Sequence, residues 1–140
     1  MAPTQVALQH SGTVINADVA TVTGSLGFAW NFPRDQHWIH LGYPQESPYT
    51  GGKIIETAAE HRYDDTPDTE GPPTNSWGSA QTPGSSGSAL ILGFNYVNGG
   101  AINSNVSYSI GGEPGELYGP YFDSETCGLW KDSTSYTGSC

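Results

Sequence analysis

Aromatic rings set among amides and carboxylates are the residues of this 140-residue sequence best suited to chemistry. Trp38 and Trp77 fall in or beside segments rich in Asn, Asp, Gln and Gly, and Asp35, Asn75 and Asn98 sit in comparable loop positions. A flat apolar ring against C–H faces, with amide or carboxylate partners for hydroxyls, is a recipe for holding a sugar. The sequence therefore predicts Trp38 or Trp77 stacking on a saccharide, with Asp35, Asn75 and Asn98 hydrogen-bonding to its hydroxyls.

Other constellations are weaker. His37 and His40 are three apart, which on a strand puts them on opposite faces and spoils a shared metal. Asp64, Asp65, Asp68 and Glu70 form the densest acidic run. Oxygen ligands at Asp64, Thr66 and Asp68 approach a calcium loop, but Thr69 stands where such a loop needs Gly, and Asn75 where it needs Glu. A solvated acidic loop is expected, with weak divalent-cation binding near Asp64, Asp65 and Asp68 as the alternative and no other cofactor. Arg34, Asp35 and His37 read as a salt-linked surface turn. The chain has no Gly-x-Ser-x-Gly strand-to-helix elbow, and Gly84-Ser85-Ser86-Gly87 misses it by one residue. No catalytic residue is assigned on these grounds.

Fourteen carboxylates against four Lys and Arg give a formal charge of −10. Nucleic acid and anionic membranes are thereby disfavoured, since both need clustered cations, and sulfated or uronic glycans would be repelled. No run approaches the roughly 20 apolar residues of a membrane span, and the first ten residues lack the basic start and apolar stretch of a secretory signal. Cys127 and Cys140 close a short C-terminal loop, and a disulfide there would restrict the unfolded chain by about 3 kcal/mol. With the Asn105-Val106-Ser107 glycosylation triplet, it points to secretion.

Positioning these groups falls to short strands. Nineteen Gly and ten Pro punctuate the sequence, and Leu26, Phe28, Trp30 and Phe32 alternate at period two, which predicts a deeply buried strand ended by Pro33. Strands are predicted near residues 5–9, 13–23, 26–32, 37–43, 89–97 and 105–110. Residues 53–63 fit either a helix or a strand, and the β-rich remainder favours strand. Residues 64–87 read as one long exposed loop.

The resulting expectation is a single all-β domain over residues 1–140, an antiparallel two-sheet sandwich with long loops. Its expected function is that of a lectin-like module for neutral glycans. A structural subunit of a capsid, fibre or surface layer is the alternative, with self-association left open, and a small secreted hydrolase is third. The composition resembles small microbial and fungal lectins in general character, without the Gln-x-Trp triplets of the β-trefoil group.

Overall fold

The computed structural model describes residues 5–10, 13–65 and 73–140. Two strands, β1 (Gln5–His10) and β2 (Thr13–Asp18), form an antiparallel hairpin, followed by a five-residue helix α1 (Val19–Thr23). All remaining strands belong to one sheet: β3 (Gly27–Phe28), β4 (His37–Gly42), β5 (Ile55–Asp65), β6 (Thr74–Gly78), β7 (Ala89–Asn95), β8 (Gly99–Asn105) and β9 (Glu116–Pro120), in the order β3-β8-β7-β4-β5-β6-β9. A helix near the C-terminus, α2 (Ser124–Ser133), is the last element.

The predicted all-β class holds and a two-sheet sandwich is not confirmed: the seven strands form one sheet, which curls until β9 meets the chain leaving β8. Just beyond β8, the Ser107 amide donates to Tyr118 O on β9, and Tyr108 and Tyr118 exchange backbone bonds. Irregular register between His61 and Asp64, and again in the β7–β8 pair, supplies the local twist that coils a sheet onto itself. Its interior holds Trp38, Ala59, Trp77, Leu90 and Val106, with Leu92 and Leu117 packed against them. The Trp38 and Trp77 rings meet edge to face at 6.2 Å, and the Trp38 indole donates to Asn103 Oδ1 at 3.0 Å.

The alternating Leu26–Phe32 segment is not a buried strand. Only Gly27 and Phe28 pair, parallel to β8, and Asn31 takes a left-handed φ of 58° that ends any ladder. Its rings instead meet the C-terminal segment, Phe28 lying 4.9 Å from Trp130 and Trp30 5.7 Å from Tyr136. The ambiguous 53–63 segment is strand from Ile55 onward, as expected, with β5 extending to Asp65. The supposed loop 64–87 contains β6, whose Thr74-Asn75-Ser76-Trp77 run is buried without alternation, so no period-two signal marks it. The predicted strand at 105–110 lies earlier, as β8, and the predicted strand at 13–23 stops at Asp18, where α1 begins.

Helix α2 begins on Asp123, whose carboxylate accepts from the Glu125 and Thr126 amides, with Glu125 in its first turn and Lys131 in its last. These local signals specify a helix within an otherwise β-rich sequence. Cys127 is fully buried and joined to Cys140, as predicted. The bond is compatible with an oxidising, extracellular setting.

Candidate active site

Between β6 and β7 the chain runs through Ser79–Ser88, and its serines separate into two environments. Ser85 is 2% exposed; its hydroxyl donates to Gln81 Oε1 at 2.8 Å or to Thr82 O at 3.0 Å. Ser88 Oγ donates to Ser85 O at 2.5 Å and lies 2.7 Å from His40 Nε2. Ser86, between them, faces solvent. Among the described residues its hydroxyl has no hydrogen-bond partner.

The backbone makes that outward turn possible. Gly84 and Gly87 have φ of 104° and 78°, a region side chains rarely adopt. At Gly84 a Cβ would also lie 2.4 Å from Gln45 Cγ and 2.9 Å from Gln45 N. Ser85 N donates to Thr82 O, Gly87 N to Val106 O and Ser88 N to Ser85 O. The amides of Gly84 and Ser86 find no acceptor among the described residues, so two donors on either side of Ser85 are left open near an open hydroxyl.

Buried polar side chains hold this turn from below. Gln81 Nε2 donates to Ile55 O at 3.1 Å and to Thr57 Oγ1 at 3.2 Å, tying the turn to β5. Ser79 Oγ accepts from the Gln81 amide at 3.1 Å and lies 3.5 Å from His40 Nδ1. Because the Ser88 proton is committed to Ser85 O, His40 carries its hydrogen on Nε2 and donates to Ser88. Burial pushes the His40 pKa down from 6.5 to about 4, so the ring is neutral.

Ser86 lies at a cavity of about 720 Å³, whose lining includes Gln81, Ser107, Tyr108, Glu113 and Glu116. Its wall is the segment after β8 and the start of β9, brought together by closure of the sheet. Glu113 accepts from the hydroxyls of Tyr63, at 2.9 Å, and Tyr118. Burial, with Glu113 adding to it, raises the Tyr118 hydroxyl above the usual phenol range, which keeps it a neutral donor.

The residues predicted to bind a sugar are not gathered at this cavity. Trp38 and Trp77 are fully buried core rings and Asn75 is 1% exposed inside β6, whereas Asp35 and Asn98 are exposed in separate loops. In the acidic run, Asp64 Oδ1 is engaged by Arg34 at 3.0 Å and His61 at 2.9 Å. Burial raises its carboxyl, but these two partners outweigh that and hold it below the usual range. Asp68 and the Asp65 side chain lie outside the described residues, and no metal-ligating cluster occurs among the described ones. Ser86 lies on a strand-to-strand turn and so carries no strand-to-helix elbow signature. The usable signal was a Gly-Ser-Ser-Gly-Ser run joining two strands.

No protein-family model and no curated protein matches the chain. Solved structures do, two of them as follows. A thermostable serine protease, AL20, from an extremophilic microorganism superposes with a TM-score of 0.67 at 29% identity, over 93% of this chain and 56% of that one. Protease Anisep from Arthrobacter nicotinovorans gives 0.70 at 26%, over 88% and 57%. The chain thus spans little more than half the length of the proteases it matches. These likenesses overturn the neutral-glycan lectin reading: the neighbours are proteases, and the rings meant to stack on a sugar build the core.

Proposed function

We propose that these residues form the nucleophile-bearing β-domain of a serine peptidase, with Ser86 as the attacking residue and a peptide as substrate. The observation that carries this reading is the turn itself. Ser86 presents the outward hydroxyl of a serine run, next to two unpaired amides and at a cavity able to take a side chain. In the reaction, Ser86 Oγ bonds to the scissile carbonyl carbon and gives its proton to a general base. The carbonyl oxygen gains charge, which the Gly84 and Ser86 amides receive. The C–N bond then breaks, the base returns the proton to the departing amine, and water releases the acyl group from Ser86.

The base is not among the described side chains. His37 faces Glu60 at 3.4 Å, His61 is held by Asp64, and His40 is sealed beneath Ser88. The reading therefore gives this chain the nucleophile, the oxyanion donors and the pocket, and assigns the base to polypeptide outside the described residues. The disulfide and the proteolytic role together favour a secreted protein.

Labelling with a fluorophosphonate, using imidazole as an external base, tests the assignment. Mass-spectrometric mapping is expected to find the adduct on Ser86, with none in Ser86→Ala. An adduct on Ser85 or Ser88, or on no serine of the run, overturns it.

A further inference from the structure

Resting on the peptidase reading, we propose that the cavity beside Ser86 selects a cationic side chain, Lys or Arg, at the residue preceding the scissile bond, and that Glu116 is the residue that recognises it. Glu116 sits at the start of β9 and is 6% exposed. Its Oε2 meets Arg62 Nη1 at 3.3 Å. Its Oε1 is buried and has no hydrogen-bond partner. A carboxyl oxygen sealed from water without a donor is costly, and a guanidinium or ammonium entering the cavity would supply that donor.

The rest of the lining agrees with a cation. Two carboxylates, Glu113 and Glu116, contribute to it, whereas no Lys, Arg or His does. Arg62 reaches Glu116 from outside the lining and is itself half exposed, at 53%, so its charge is weakened by solvent. Glu113 Oε2 already accepts from two phenol hydroxyls, whereas Glu116 Oε1 is the carboxylate oxygen of the lining that is both buried and without a donor among the described residues. A cavity of about 720 Å³ also accommodates the length of an Arg or Lys side chain.

Equilibrium binding of p-aminobenzamidine, followed by its fluorescence, tests this without requiring a catalytic base; p-aminobenzamide is the neutral isostere. The amidine is expected to bind about 10-fold or more tighter than the amide, as befits a charge-assisted bond. Glu116→Gln should erase that preference. Glu60→Gln, which removes an exposed carboxylate outside the cavity, should retain it. Arg62→Met, which frees Oε2, should strengthen amidine binding and covers the case in which Glu116→Gln does not fold. Equal affinities for the two probes, or a preference that survives Glu116→Gln, overturns the assignment. Phosphonate labelling separates the two proposals. Ser86 labelled equally fast by Lys-bearing and Phe-bearing peptide phosphonates sinks the cation pocket and leaves the peptidase reading standing. Amidine preference with no Ser86 adduct does the reverse.

Discussion

His40 Nε2 and Ser88 Oγ lie 2.7 Å apart, yet this serine–histidine pair is a support rather than a catalytic couple. The Ser88 hydroxyl already donates its hydrogen bond to Ser85 O, and the histidine is fully buried. The pair anchors the turn two residues from Ser86, so the geometry of the outward hydroxyl depends on an inward one.

Acid should therefore loosen the turn. The folded pKa of His40, about 4, lies below its unfolded value of 6.5. Between those values the unfolded chain binds the proton and the folded one does not, so stability is fully present above pH 6.5 and falls as the pH drops toward 4. The full loss is about 3 kcal/mol. Urea unfolding at a series of pH values, compared between wild type and His40→Gln, reads it as a difference in slope; identical slopes would dismiss the burial argument.

Gly84 should resist substitution for two independent reasons. Alanine there meets both a φ of 104° and the Gln45 side chain and amide. The turn must shift to accept it, moving one of the two open amides. Phosphonate labelling of Ser86 in Gly84→Ala is expected to slow by about 100-fold, the scale of a lost oxyanion donor, while near-ultraviolet circular dichroism stays native. A labelling rate within a factor of two of wild type would exclude a role for this amide.

Closure of the sheet depends on another glycine. A Cβ on Gly119 would sit 2.0 Å from Asn105 O and 2.8 Å from the Trp77 ring, where β9 approaches the end of β8. Gly119→Ala is expected to cost about 1 to 3 kcal/mol by overpacking, seen as a lower urea midpoint at unchanged slope. An unchanged midpoint would mean that the strands have room to part.

The β-rich class was legible in the sequence because turn formers and short alternating runs act locally, and the same holds for the Cys127–Cys140 pairing in its small loop. The strand over 53–63 followed from that background, despite helix-forming residues. Local pattern failed at Leu26–Phe32, where alternation reflected packing on the C-terminal segment, and at β6, whose mostly polar run is buried without alternation.

The candidate site is decided at a longer range. Ser85, Ser86 and Ser88 are chemically identical in sequence, and only the backbone turn, with Gln81 and His40 beneath it, makes one of them face outward. Trp38 and Trp77 carry no local mark of burial either; the closing sheet buries them. Composition and periodicity determine which strands and turns can form, because those preferences belong to neighbouring residues. The exposed hydroxyl, the open amides and the buried carboxylate of Glu116 come together through contacts between segments far apart in the chain, and only the folded sheet decides them.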